Sequence, residues 1–147
     1  MITKMSHVSV YVLDQESAYD FYVNKLGFTV HTDAAMGPDS RWLTVTPKDQ
    51  PDLEISLMLV KAGMGFSEDS AKKMRELVAA GTFGFGVFET KNIQATYEEL
   101  KAKGLRFVMP PTQREGEGIK LAVAIDPDGL PVSFARDAIP SHCLYIY

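Results

Sequence analysis

From His7 the chain alternates. Val8, Val10 and Val12 fall on one side of an extended backbone and His7, Ser9 and Tyr11 on the other, which predicts a half-buried strand over 7–13. The period then changes. Ala18, Phe21, Tyr22 and Leu26 recur at helical spacing behind Asp14, whose carboxylate can cap the first exposed amides, and Gly27 supplies a stop. Further strands are predicted over 28–34, 41–46 and 53–60. The same succession returns downstream: a strand over 83–89, then a helix capped by Asn92 with Ile93, Tyr97 and Leu100 inward, then a stop at Gly104. Strands over 105–109, 119–125 and 130–136 complete the second half. Gly116-Glu117-Gly118 reads as a hairpin turn and Asp126-Pro127-Asp128-Gly129 as a second turn.

Between these halves, 67–80 predicts a helix with Ala71, Met74, Leu77 and Val78 on one face. Its Lys72, Lys73 and Arg75 interleave with Glu68, Asp69 and Glu76, so they read as a solvated face, not a basic patch. The order is βαβββ, twice. Val10, Ala18 and Gly27 match Val87, Ala95 and Gly104 at a constant offset of 77. The expected class is therefore α+β: one domain over 1–147, with module one at about 5–60, the linking helix at about 67–80, module two at about 82–137 and a tail at 138–147. The tail carries Leu144, Tyr145, Ile146 and Tyr147, too apolar to leave in water, and is expected to pack on the body or on a partner.

Charge narrows the function classes. Fifteen basic residues against nineteen acidic ones leave a net charge of −4, which argues against nucleic acid, since phosphate binding needs a surplus of Lys and Arg. No apolar run approaches the roughly 20 residues of a membrane helix, and no apolar signal segment comes after Met1-Ile2-Thr3-Lys4, so a soluble, cytoplasmic protein is expected. The single cysteine, Cys143, excludes a disulfide framework within the chain and a multi-cysteine zinc site. His31 and His142 belong to no evident constellation. Gly63-Met64-Gly65 and Gly84-Phe85-Gly86 lack the residues that would make either a phosphate loop.

The doubled pattern resembles the vicinal oxygen chelate superfamily, which includes glyoxalase I, bleomycin-resistance proteins and extradiol dioxygenases. The resemblance rests on His7-Val8-Ser9-Val10, on Phe21-Tyr22 ahead of Gly27-Phe28, on the run from Ala95 to Gly104, and on Asp126-Pro127-Asp128-Gly129-Leu130-Pro131. It implies a cupped mixed sheet from the modules, with the site in the cup, and a homodimer. In metal-dependent members the ligands come from the first and last strands of each module. That places candidate divalent-metal ligands at His7 and Glu54, while the 77-residue offset sets Gly84 opposite His7, and Ser133 falls opposite Glu54. Neither Gly84 nor Ser133 is an effective donor, and tight sites use three or four protein ligands.

On strand alternation, the cup face should carry His7, Ser9, Tyr11, Glu54, Ser56 and Met58 from module one. Module two should add Gly84, Gly86, Phe88, Ala122, Ala124, Ser133 and Ala135. His7, Tyr11, Trp42, Glu54, Met58, Phe88 and Ser133 are the expected ligand-binding residues. A carboxylate inside an apolar strand needs a partner; His7 and Arg41 are the candidates for Glu54. The leading expectation is a small-molecule-binding protein for an apolar or planar ligand, without an intact metal site or other cofactor. The alternatives are a divalent-metal lyase or dioxygenase using His7 and Glu54, and a structural dimer module whose own side chains fill the cup.

Overall fold

The computed structural model describes residues 1–84, 86–115 and 119–136. The apolar tail, with His142 and Cys143, and the expected turn at Gly116-Glu117-Gly118 lie outside the described residues. The fold is α+β, with two tandem modules each building a cupped four-stranded mixed sheet. The chain divides into two compact units, Met1–Thr82 with Pro127–Gly129, and Phe83–Asp126 with the residues from Leu130.

In the first unit β1 (His7–Val12), β2 (Thr29–Ala35), β3 (Arg41–Thr46) and β4 (Glu54–Leu59) form a sheet of order β1-β4-β3-β2. β1 runs parallel to β4 and the other pairs are antiparallel. The connection from β1 is the helix α1 (Gln15–Tyr19), started by Asp14 Oδ1 accepting from the Ser17 amide at 2.6 Å. Val10, Val12, Leu43, Val45, Ile55 and Leu57 pack against Ala18, Phe21 and Tyr22, and none of these is more than 3% exposed. At roughly 1.5–3 kcal/mol for each large apolar side chain removed from water, this layer dominates the unit's stability.

After Tyr19 the helix continues as a π-helical segment (Asp20–Lys25), with the Leu26 amide reaching the Phe21 carbonyl at 2.9 Å, before Gly27 ends it at φ +76°. Module one takes one residue more than module two to pass from helix cap (Asp14, Asn92) to glycine stop (Gly27, Gly104). The π segment absorbs that residue without turning Phe21 and Tyr22 out of the core. The offset between modules is therefore 77 after the helices and 78 before them.

The linking helix α2 (Glu68–Ala79) is capped by Ser67. It buries Ala71 and Val78 and half-buries Met74, but Leu77 is 43% exposed, against expectation. The contact line runs through residues three and four apart; Leu77 stands about 100° round from Val78 and misses it.

In the second unit β5 (Val87–Glu89), β6 (Arg106–Gln113), β7 (Lys120–Ile125) and β8 (Pro131–Arg136) repeat the topology as β5-β8-β7-β6, with α3 (Ile93–Ala102) after β5. β5 is shorter than the expected strand because Gly86 takes φ +44°, outside the extended region. β6 is longer, running through Pro110 and Pro111. It is an edge strand with two register shifts, the setting in which proline's missing N–H breaks no ladder.

Phe88 pairs with Phe134, Ala122 with Phe134, and Ala124 with Val132, and Phe88 and Phe107 set their rings 6.1 and 6.2 Å from that of Phe134. Tyr97 of α3 meets Phe107 edge-on at 4.7 Å. Phe88, Ala122 and Ala124 thus face the helix, not the cup, while Ser133 and Ala135 lie on the other face. The expectation for Phe88 misplaced it by one residue: the upstream offset of 78 aligns Phe88 with buried Val10, not with Tyr11.

Candidate functional site

The parallel register of β1 and β4 sets His7 beside Glu54, Ser9 beside Ser56 and Tyr11 beside Met58. All six lie on the face of the first sheet turned away from its helix, as alternation predicts. β3 adds Trp42 and Thr44 to this face, because Thr44 pairs with Ser56 while its neighbour Val45 pairs with the core residue Ile55.

Glu54 is the centre of the polar part. Its side chain is 16% exposed, and His7 Nε2 approaches Oε1 at 3.3 Å, His31 Nδ1 approaches Oε2 at 3.1 Å, and Thr44 Oγ1 donates to Oε2 at 2.7 Å. An ionised carboxylate only accepts, so the imidazole nitrogens turned towards it carry the protons. His7 Nδ1 is then the acceptor for Ser6 Oγ at 2.9 Å. The half-buried carboxylate has its partners, and neither imidazole position is taken by Arg41. Arg41 turns to the other face, pairing with Glu16 at 2.8 Å and Asp33 at 3.4 Å and standing 5.7 Å from the Tyr19 ring.

His31 was not legible as a site residue. β2 pairs Val30 with Val45 and then Thr32 with Thr44, leaving His31 as the extra residue of a β-bulge. Counted from Val30, opposite the core residue Val45, alternation sets His31 on the Thr44 face, where it meets Glu54. The bulge reverses the phase of the rest of β2, so that Asp33 meets Arg41 on the helix side. The one signal in the sequence was a histidine amid alternating β-branched residues, Val30 and Thr32, and that carries no partner information.

Around the polar cluster the face is aromatic and soft. The His7 and Trp42 rings are 6.4 Å apart, Tyr11 meets Phe66 edge-on at 5.7 Å, and Ser9 Oγ contacts Met58 Sδ at 3.4 Å. Trp42, Tyr11 and Met58 are each half-buried, so their exposed portions remain available.

A separate hollow of about 550 Å³ lies on the helix side, lined by Leu13, Asp14, Glu16, Asp33, Asp39 and Arg41 among others. None of the expected ligand-binding residues lines it. Arg41 is engaged there with Glu16 and Asp33, which ties the start of α1 to β2, so we place the candidate site on the Trp42–Glu54 face instead.

The second module offers no matching donors among the described residues. The pair Val87–Ser133 corresponds to Ser9–Ser56, so Ser133 aligns with Ser56, and Glu54 aligns with Pro131. At the 78 offset the counterpart of His7 is Phe85, outside the described residues. These assignments replace Ser133 and Gly84. Within module one the two imidazoles and the carboxylate address one another, with each histidine on a different oxygen. Among the described residues, no three His, Cys, Asp or Glu side chains are gathered as a metal ion would require. This donor set does not fit a four-ligand centre spread over both modules. Among the described residues, no helix is long and apolar enough to cross a membrane.

Residues 4–134 match the family model of the Glyoxalase/Bleomycin resistance protein/Dioxygenase superfamily. The uncharacterised protein YetH of Bacillus subtilis (strain 168) is 36% identical over 116 residues, 78% of this chain and 84% of its own. The crystal structure of UcmS2 is similar with TM-score 0.82 and 41% identity, over 92% of this chain and 98% of that one. That of TnmS3, described as an antibiotic binding protein from Streptomyces sp. CB03234, is similar with TM-score 0.69 and 26% identity, over 93% and 98%.

Proposed function

The chain belongs to the glyoxalase/bleomycin resistance protein/dioxygenase superfamily, and from that premise we propose that it binds a planar or apolar small molecule, without catalysis and without a metal. The observation that carries this reading is the Trp42 face: half-buried Trp42, Tyr11 and Met58 stand around a polar cluster whose carboxylate already has partners within the protein. Apolar walls with a few placed polar groups are what a small organic ligand requires. The similarity to TnmS3, described as an antibiotic binding protein, supports the same class of ligand. Ser133, on the outward face of the second sheet, is included in the proposed ligand-binding set; Phe88, packed on Phe134, is not. The reading carries with it the homodimer implied by the family resemblance and the cytoplasmic location expected from the sequence.

Trp42 is the single tryptophan of the chain, so fluorescence excited selectively at tryptophan reports on this face alone. Titration with 2-methoxynaphthalene should change it saturably, and calorimetry should find binding weakened about tenfold or more in Trp42→Ala, the loss typical of a stacking aromatic at a binding centre. Protein purified without chelator should contain no stoichiometric divalent metal. Near-stoichiometric metal that is lost in His7→Ala and in Glu54→Ala would replace this reading with a metal-dependent lyase or dioxygenase. Absence of both metal and ligand binding would leave a structural dimer module.

A further inference from the structure

Glu54 does more than satisfy its own burial. Its Oε2 lies 3.1 Å from His31 Nδ1, and Thr32 Oγ1 lies 3.0 Å from the same nitrogen; an acceptor-only carboxylate there favours the tautomer with the proton on Nδ1, and no described residue bonds the opposite nitrogen, Nε2. The His31 side chain is 48% exposed, so this ring presents a hydrogen-bond acceptor beside the aromatic face. Its place next to Val30, opposite the core residue Val45, puts the ring on this face.

We propose that His31 Nε2 selects planar aromatic ligands that carry a hydroxyl group, accepting the hydroxyl hydrogen while the ring system lies against Trp42. The inference rests on the ligand-binding reading above and names its ligand class. His7 does not compete for this role, because its Nε2 is engaged with Glu54 and its Nδ1 with Ser6. An aromatic ether of the same shape has no hydrogen to give. An aromatic carboxylate has none either once ionised, and it also meets the negative charge of Glu54.

Three probes of one shape separate these cases: 2-naphthol, 2-methoxynaphthalene and 2-naphthoate, titrated calorimetrically at neutral pH into the wild-type protein and His31→Phe. The wild type should bind 2-naphthol about tenfold more tightly than the ether, the scale of one desolvated hydrogen bond, and the carboxylate most weakly. In H31F the naphthol advantage should vanish. H31A serves in its place should the circular dichroism of H31F show loss of fold. Equal wild-type affinities for naphthol and ether would overturn the inference while leaving the binding reading intact, as would a preference that survives in H31F or H31A. Tightest binding of naphthoate would overturn it by showing His31 to be an anion receiver. Failure of all three probes would overturn the inference and the binding reading together.

Discussion

Replacing Gln15 by methionine should cost about 2–3 kcal/mol and loosen the ligand face as well. Gln15 is 9% exposed, and its carboxamide stands where the β3–β4 ladder ends. That ladder holds the pairs Thr44–Ser56 and Val45–Ile55; past them Gln15 Nε2 donates to the Arg41 carbonyl at 2.9 Å and the Leu57 carbonyl at 2.8 Å, and Oε1 accepts from the Arg41 amide at 3.2 Å. One side chain thus replaces three ladder bonds. Methionine keeps the length and fills the space, but leaves three backbone groups without partners, at about 1 kcal/mol each, offset in part by its more favourable burial. Urea unfolding followed by circular dichroism should show the midpoint falling with the slope unchanged, and the melting temperature falling by roughly 5–10 °C. Because Arg41 and Leu57 immediately precede Trp42 and Met58, affinity for 2-methoxynaphthalene should fall too. A loss below about 1 kcal/mol would refute the reasoning, since water would then be replacing the amide at no cost.

The face assignment of the second sheet is tested by neighbours. Phe134→Ala should cost about 3–5 kcal/mol, whereas Ser133→Ala should stay within about 0.5 kcal/mol; comparable losses in chemical denaturation would reverse the faces. Asp128 should make stability depend on pH. Burial, with the Asp14 charge adding to it, holds its carboxyl above the ordinary value of 3.8, while the bond from the Leu13 amide works the other way. A raised native pKa means the folded state binds the proton more strongly, so this residue's contribution is most favourable below the ordinary value and is lost as pH rises through the raised one. Asp128→Asn keeps an oxygen for Leu13 without the charge. The variant should therefore gain on the wild type as pH increases from about 4 towards 7, then level off; a difference that is constant or shrinks over that range contradicts the assignment.

Much of this protein is written in short-range pattern. Alternation over 7–13 sorted Val10 and Val12 from His7 and Tyr11, Asp14 and Asn92 cap their helices, and Gly27 and Gly104 end them, as residue type and spacing indicate. The family resemblance singled out His7 and Glu54 together, and alternation put both on one face of the sheet. These features depend on a residue's own backbone preference and on neighbours within a turn or two. Features that depend on phase carried over a distance were settled only in three dimensions. A single extra residue in the first helix, absorbed as a π segment, shifts the correspondence of everything upstream of it, so that Phe88 matches buried Val10 and not Tyr11. A bulge in β2 turns Asp33 to the helix side, where it meets Arg41. Such irregularities cost little locally and leave no mark on composition or periodicity, yet each moves a whole run of side chains by one position. Strand pairing and the packing of a common core decide where that shift is taken up.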